Sequence, residues 1–336
     1  MTALVVSTLG MIMLLVALEM VFLNRNSKHI ENNEEYSGKV FLAQKYRRKT
    51  QEGAAEASSA RLVVMGLCYN LGDRLHRAKA VINRFRAPFK DSRVVLFEND
   101  STDQTRELLK QWAEEDGGVH VLDCCAEGSC ECKLKSAAGY AGGGRSLSRI
   151  ERMSKYRNRC LDYAKEHYAD FDYVLVMDMD INGAVTPNAM ELALAARKDT
   201  PWDSVSCAGK MPMFGSFGAV GHLYDSLSFV PSPKKLRTFD EAVISAPKLT
   251  ARWFQLNGKA LLQGKHKLMR VGAYFGGMTL YRADLFFKSR YVPSTCEHIG
   301  LQKQMQEAAG RDGQFYILLP FVSHMGIQGP NYYKEK

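Results

Sequence analysis

The stretch Tyr173-Val-Leu-Val-Met-Asp178-Met-Asp180-Ile-Asn182-Gly183 decides how this chain is organised. Its apolar residues form a run of the length expected for a buried strand, and that run ends in two aspartates. Residues two apart in an extended chain lie on the same face. Asp178 and Asp180 can therefore converge on one divalent cation such as Mn²⁺ or Mg²⁺, which prefers oxygen ligands.

Three further apolar runs precede this stretch and are predicted strands, at 62–69, 93–97 and 119–122. Helical patterns at 75–86 and 104–114 separate them. Ser101 and Thr102 are suitable caps for the second of these helices. A helix at 150–167 then leads into the strand with the aspartates. This alternation predicts an α/β domain over residues 61–336, with a mixed, mostly parallel sheet flanked by helices.

Later segments fit the same domain less regularly. We expect a surface loop in the Cys- and Gly-rich segment 123–145, then a helix at 188–198 and a strand at 204–207. A strand interrupted by glycines at 271–281 and a final strand at 314–319 follow. Glycines inside a strand indicate close approach of a ligand or of another backbone segment.

The N-terminal segment is predicted to anchor the chain in a membrane. The first 23 residues contain a nearly unbroken apolar run with a single acid, Glu19, which is long enough to span a bilayer as a helix. Because a basic segment before the run is missing, we predict an uncleaved anchor at 1–23 rather than a signal peptide. Arg25 and Lys28 follow the run, which by the positive-inside rule would favour a cytoplasmic C-terminus, but the sequence leaves the orientation open. Residues 24–60 lack an apolar period and are predicted to be a stem or linker.

Composition adds little about function. The net charge of +9 suits an anionic ligand or surface, and no helix-turn-helix, zinc-finger or RNA-binding signature indicates a nucleic-acid partner. The eight cysteines divide into a cluster and a scattered set. In an oxidising compartment the cluster would hold disulfides, with a zinc knot as the alternative. The cluster comprises Cys124, Cys125, Cys130 and Cys132. We expect the scattered cysteines to be buried thiols, and these are Cys68, Cys160, Cys207 and Cys296.

Three kinds of metal site contain an Asp-x-Asp pair. A calcium loop needs a Glu at its twelfth position, where this chain has Ala189, and a helix rather than a strand before it. An aspartyl phosphatase usually has the pair on its first strand, with Thr or Val where Asn182 stands here. A nucleotide-sugar glycosyltransferase, in which the metal neutralises a diphosphate, needs a nucleotide-binding half before the pair and an acceptor half after it. A simple turn with acidic caps is a fourth, purely structural interpretation.

A set of motifs favours the third interpretation. VVLFENDSTDQT at 94–105 resembles the second strand and turn of glycosyltransferases with the GT-A fold. More narrowly, the order of segments resembles the capsule-associated fungal α-1,3-mannosyltransferase family. The similar segments are FENDSTDQT, RIERMSKYRNRCLDYA, the region from Trp202-Asp203 to Tyr224-Asp225, YFGGMTLYRADLF, and CEHIGL followed by a last strand. Together they span about residues 61–326. The full Asp-Met-Asp pair and the Cys-rich segment depart from that family.

The resemblance implies a role for specific residues. Glu98 takes the position of the acid that recognises the nucleoside, and Arg157 that of a diphosphate ligand. The full set expected to bind the nucleotide sugar is Tyr69, Asn70, Glu98, Asp103, Arg157, Gly276 and Gly277.

Other residues are expected to bind the metal or the acceptor. His324, late in the chain, is a candidate third ligand beside Asp178 and Asp180. Tyr224 and Asp225 are expected on the acceptor side. Glu297 is the predicted catalytic carboxylate: a general base in an inverting enzyme, or a group that stabilises the oxocarbenium-like centre or binds the acceptor in a retaining one.

The preferred hypothesis is a membrane-anchored glycosyltransferase that uses Mn²⁺ or Mg²⁺. It would move a sugar from GDP-mannose, or from a UDP-sugar, to a carbohydrate hydroxyl. We expect it in the Golgi or another secretory-pathway membrane, with a lumenal catalytic domain. Two alternatives stay open: a membrane-tethered carbohydrate- or metal-binding protein without turnover, and a phosphotransfer enzyme that uses the same acids.

Overall fold

The computed structural model describes residues 39–123, 147–211, 222–225, 228–230, 268–294 and 296–325 of the 336-residue chain. Its strands belong to one sheet and are β1 (Arg61–Cys68), β2 (Asp91–Glu98), β3 (Val119–Asp123), β4 (Tyr173–Asp178), β5 (Ile181–Val185), β6 (Ser204–Met211), β7 (His222–Leu223), β8 (Leu268–Val271), β9 (Met278–Arg282) and β10 (Phe315–Met325). The described helices are α1 (Lys39–Ala57), α2 (Leu75–Arg86), α3 (Thr105–Glu115), α4 (Leu147–Tyr168), α5 (Ala189–Asp199), α6 (Ala283–Phe286) and α7 (Glu297–Ala309), with a 3-10 turn at Gly72–Arg74.

The sheet has a parallel half and a mixed half. Its strand order is β3-β2-β1-β4-β9-β6-β10-β5, with β7 beside β6 and β8 beside β10. The first four strands run parallel, as predicted. β9 is antiparallel to both β4 and β6, and β5 and β8 are antiparallel to β10. The predicted mixed sheet is confirmed, and in its second half β6 and β10 also pair in parallel. The sequence does not indicate which strands are antiparallel, because an apolar run does not encode the direction in which its strand runs.

The central strand β1 shows why the first runs are continuously apolar. Leu62 and Val64 pack on one face of the sheet, in the core beneath α2 and α3. Val63 and Met65 pack on the other face, against α4. Because both faces are covered, all positions of the strand except Arg61 and Leu67 are buried, and the alternation of apolar and polar residues disappears.

Several predicted boundaries change in the structure. Ser101 and Thr102 do not cap the next helix, since α3 begins at Thr105 and Oδ1 of Asp103 accepts the backbone N–H of Thr105 at 3.0 Å. The final strand extends beyond the predicted residue 319, because β10 continues through Pro320 to Met325. A strand precedes the aspartates, as predicted, so the helix that a calcium loop requires is absent at that point of the described chain.

The structure has a helix, α1, in the segment that the sequence predicted to be a stem or linker. It occupies much of the segment 24–60 and packs on α5, and a Cβ on its Gly53 would lie 1.7 Å from the backbone oxygen of Glu191. Ala57, at the end of the helix, is completely buried. Small residues allow two helix backbones to approach closely without a conspicuous apolar stripe, which is why the sequence shows no period. Ordered structure therefore begins before Arg61.

The predicted anchor at 1–23 and the Cys-rich cluster at 124–132 lie outside the described residues. Within the described segments, we find no helix that is both long enough and apolar enough to cross a membrane. The prediction for the scattered cysteines is confirmed: all four are free and buried, and burial raises the pKa of each thiol. They are Cys68, Cys160, Cys207 and Cys296.

Candidate functional site

Polar residues meet where neighbouring parallel strands end. β1 pairs with both β2 and β4, so that Leu67 lies opposite Asp178 and the last residue of β1 lies opposite Glu98. Asp178 and Glu98 therefore share the carboxyl edge of the sheet, on either side of the chain that leaves β1 through Tyr69 and Asn70. Open α/β sheets bind ligands in crevices at this edge.

Two side chains from other elements hold the carboxylate of Asp178. Nη2 of Arg157, on α4, donates to Oδ1 at 3.1 Å, and the hydroxyl of Tyr224 donates to Oδ2 at 3.0 Å. The backbone N–H of Asp178 donates to the carbonyl of Gly277 at 2.8 Å. A carboxylate offers about four acceptor positions, so these two side-chain contacts leave room for a cation.

The environment of Asp178 and Asp180 favours the binding of a cation. Burial raises the pKa of Asp178 to about 6; the charge of Arg157 lowers it, and the charge of Asp180 raises it. The side chain of Asp178 remains 20% exposed, and Asp180 is half-buried. A bound cation would relieve the repulsion between the two carboxylates.

Arg157 is the buried centre of the site. Its Nε donates to Oε1 of Glu297 at 3.2 Å, while its Nη2 holds Asp178, and only 4% of its side chain is exposed. The guanidinium carbon lies 5.2 Å from the ring centre of Phe275 and 5.9 Å from that of Tyr291. Burial by itself lowers the pKa of Arg157, but the charges of Glu297 and Asp178 more than offset this and raise it.

The structure adds residues that the sequence did not indicate. The ring of His298 stacks on Phe275 with centres 3.6 Å apart and planes 9° apart, and it meets Tyr291 edge-on. Both its ring nitrogens are buried without a hydrogen-bond partner among the described residues. Burial lowers the pKa of His298 well below its usual range, and the charge of Arg157 lowers it further. The available signal was the position of His298 beside Glu297 in CEHIGL.

Gly276 and Gly277 serve the backbone around Asp178. Gly276 has φ +66°, and a Cβ there would lie 2.3 Å from the carbonyl oxygen of Cys207. Gly277 has φ +85° and supplies the carbonyl that fixes the N–H of Asp178. The close approach predicted from these glycines is thus one between backbone segments, and their contact with a donor sugar stays a prediction.

Tyr224 and Asp225 form a fixed turn beside Asp178. Asp225 has φ 55°, an uncommon conformation for a residue other than glycine, and both the N–H and the hydroxyl of Ser228 donate to its carbonyl. The hydroxyl of Tyr274 donates to the carbonyl of Tyr224 at 2.8 Å. Burial raises the pKa of Asp225 to about 8, and its Oδ2 is buried without a hydrogen-bond partner among the described residues.

The residues predicted to bind the nucleoside form a second cluster. The carboxylate of Glu98 is fully buried and accepts the N–H of Ser101 at 2.7 Å and Nη2 of Arg106 at 2.7 Å. Oδ1 of Asn70 accepts the N–H of Thr102 at 2.8 Å. These contacts tie the turns after β1 and β2 together.

Two further residues predicted to bind the nucleoside lie at the edges of this cluster. Asp103 accepts the N–H of Thr105, the first residue of α3, as described above, and Tyr69 is 36% exposed just after β1. Contacts of any of these side chains with a nucleoside stay predictions.

The carboxylates available at this edge of the sheet suit a hard divalent cation that is bound together with a substrate. Among the described residues, no group of three or more His, Cys, Asp or Glu side chains is arranged to hold a metal ion. Mg²⁺ is commonly bound by one or two carboxylates together with substrate phosphates, and carboxylates suit Mn²⁺ equally. Asp178 and Asp180 supply two such groups. His324 lies on β10 opposite Lys210 of β6, and its backbone reaches this same edge of the sheet.

No protein-family model matches the sequence, and no curated protein matches it. Among solved structures, the mannosyltransferase PcManGT from Pyrobaculum calidifontis, in complex with GDP-Man and Mn²⁺, is 11% identical with a TM-score of 0.45, over 88% of this chain and 69% of that chain. S. aureus TarS in complex with UDP-GlcNAc is 13% identical with a TM-score of 0.45, over 82% and 61%.

A third structure, GalNAc-T7 with UDP, GalNAc and Mn²⁺, is 14% identical with a TM-score of 0.47, over 80% of this chain and 44% of that chain. This chain thus covers less than two thirds of the length of TarS and of GalNAc-T7. Since all three TM-scores lie below 0.5, the functional conclusion rests on the site itself.

Proposed function

We propose that this protein is a metal-dependent glycosyltransferase that binds a nucleotide sugar at the carboxyl edge of its sheet. One observation carries the proposal: Arg157 and Tyr224, from distant parts of the sequence, both donate to the carboxylate of Asp178, and Glu297 binds Arg157 in turn. A carboxylate that is held on both oxygens at a strand end, next to a second acid, is suited to binding a cation rather than to capping a turn.

The proposed donor is GDP-mannose, with UDP-sugars as the alternative, and the proposed acceptor is a carbohydrate hydroxyl. The motif resemblance at 94–105 and 274–286 supports this choice. Asp178 and Asp180 would hold Mn²⁺ or Mg²⁺. The bound ion would neutralise the charge that develops on the departing nucleoside diphosphate.

The chain's own residues prepare this site before any ligand binds. Tyr224 and Arg157 fix the two oxygens of Asp178, so that little reorganisation is needed on binding. The net charge of +9 also favours an anionic diphosphate substrate. Asp225, in a turn held by Ser228 and Tyr274, would lie on the acceptor side.

Metal-dependent nucleotide binding tests the proposal. GDP and UDP are titrated into the full-length protein with and without Mn²⁺, and a panel of nucleotide sugars is then screened for donor hydrolysis and transfer. We expect binding that requires Mn²⁺ and is lost in Asp180→Ala, together with turnover of one donor. Binding without hydrolysis or transfer would indicate a binding protein instead. Absence of nucleotide binding with every metal would refute the proposal.

We also propose that residues 1–23 anchor the protein in a Golgi or other secretory-pathway membrane, with the catalytic domain in the lumen. The apolar run in the sequence supports the membrane anchor. Protease protection of the domain in intact microsomes, compared with detergent-treated microsomes, tests it. Cleavage of the domain without detergent would contradict a lumenal orientation.

A further inference from the structure

Glu297 is poorly placed to exchange protons with a substrate. Its side chain is 7% exposed at the first turn of α7. Oε1 accepts from Nε of Arg157 at 3.2 Å, and Oε2 lies 3.6 Å from the thiol of Cys296, which donates to it. Both oxygens are thus engaged inside the protein. A proton taken up by this carboxylate would weaken its ion pair with a buried guanidinium, which is costly.

Arg157 links Glu297 to Asp178, so that the position of Glu297 affects the orientation of the Asp178 carboxylate. Its guanidinium is a rigid plane, and two different nitrogens bind the two carboxylates. The rings of Phe275 and Tyr291 near the guanidinium restrict its movement. If Glu297 is removed, therefore, the guanidinium can turn, and Asp178 then loses the geometry of the contact to Oδ1.

We propose that Glu297 is a positioning residue of the metal site, which acts through Arg157 to fix the orientation of the Asp178 carboxylate. This inference rests on the proposed function and replaces the predicted direct role of Glu297 in catalysis. Groups that hold a ligating side chain typically contribute 10- to 100-fold to metal affinity. Metal affinity should therefore depend on Glu297, although Glu297 does not ligate the ion.

The test measures Mn²⁺ affinity, first for Mn²⁺ alone and then through the Mn²⁺ dependence of GDP and UDP binding. In Glu297→Gln we expect both affinities for Mn²⁺ to fall about 10- to 100-fold. Arg157→Lys should show a similar loss, because an ammonium cannot bridge both carboxylates in the same plane. The double variant should be little worse than either single variant, since the two residues act in series.

The control is Arg311→Met, which removes a guanidinium from the buried carboxylate of Asp203 at the opposite end of β6. Its Mn²⁺ affinity should match the wild type at a comparable loss of thermal stability. If Glu297→Gln unfolds, Glu297→Asp keeps the charge with a shorter reach and should show an intermediate loss.

Unchanged Mn²⁺ affinity with a large fall in turnover in a folded Glu297 variant would overturn the inference and indicate a direct chemical role. That outcome leaves metal-dependent nucleotide binding by the wild type intact, so it is distinct from failure of the proposed function. If the wild type binds neither Mn²⁺ nor nucleotide, the proposed function fails and the inference fails with it.

Discussion

The hydroxyl of Tyr224 donates a hydrogen bond of 3.0 Å to Oδ2 of Asp178 and so joins the turn after β7 to the end of β4. The turn itself is held by Tyr274, whose hydroxyl binds the carbonyl of Tyr224. The acidic pair is therefore positioned from the second half of the chain as well as by its own strand. A residue predicted only for the acceptor side thus contacts a predicted metal ligand.

Tyr224→Phe should weaken Mn²⁺-dependent nucleotide binding roughly fivefold, because loss of a hydrogen bond of this kind costs about 1 kcal/mol. Calorimetric titration of GDP and UDP at fixed Mn²⁺ measures the change. Tyr316→Phe is the matched control, since its hydroxyl bonds Gln314 near the start of β10. Equal affinities in the two variants would show that the contact to Asp178 does not matter for binding.

Gly276→Ala should destabilise the domain strongly. The residue has φ +66°, and an added Cβ would lie 2.3 Å from the carbonyl oxygen of Cys207. The left-handed conformation and the overlap together should lower the free energy of unfolding by roughly 2–5 kcal/mol, measured by urea denaturation.

Gly310→Ala separates these two contributions. Gly310 has φ +63°, but a Cβ there would meet nothing within 4 Å. It should therefore cost only about 1–2 kcal/mol, from conformation alone. If both variants lose the same stability, the close approach between Gly276 and Cys207 is not energetically important.

The sequence predicted elements whose own residues determine them. β1 and β4 are apolar at nearly every position because both faces of the sheet are covered, and that pattern indicates a buried strand. Helix α1 was missed because it packs on α5 through small residues such as Gly53. The direction of β9 was missed because hydrogen-bond pairing with β4 depends on topology, which an apolar run does not encode.

The site was predictable only in part, for a related reason. Asp178 is the last residue of its strand, so the local sequence located it. Its contact with Arg157 bridges 21 residues, and that between Arg157 and Glu297 bridges 140. No local pattern specifies such a distant contact. His298 was missed as a member of the site because a lone histidine looks the same in sequence whether it is exposed or stacked on Phe275.

His298 should make stability depend on pH. Its folded-state pKa is lowered, chiefly by burial, so the neutral ring is favoured in the folded protein. Its contribution is fully present above the unfolded value of about 6.5 and is lost as the pH falls below it. The free energy of unfolding should then decrease by about 1 kcal/mol from pH 6 to pH 5 through this residue alone.

His298→Phe keeps an aromatic ring against Phe275 and removes the titration. Urea denaturation of both proteins at several pH values should therefore give curves that diverge below pH 6.5, with the wild type losing more stability. The difference between the two proteins is the informative quantity, because carboxylates titrate in both. Parallel curves would mean that His298 is protonated as readily in the folded protein as in the unfolded chain.

Helix α1 should be part of the folding unit. A chain that lacks residues 1–60 loses the helix that covers α5, whereas a chain that lacks only residues 1–38 retains it. Because Ala57 is fully buried and the apolar face of α5 would be uncovered, we expect the shorter chain to be less stable by about 3 kcal/mol. Urea denaturation of the two truncated proteins measures this difference.

A point substitution tests the same contact without truncation. Gly53→Leu places a side chain where even a Cβ would lie 1.7 Å from the backbone of Glu191, so α1 must move away from α5. Gly117→Leu is the control, because a Cβ at Gly117 meets nothing within 4 Å. We expect Gly53→Leu to approach the stability of the chain that lacks residues 1–60. If both truncated chains and both variants unfold alike, α1 contributes nothing to the domain, and the boundary at Arg61 predicted from the sequence is restored.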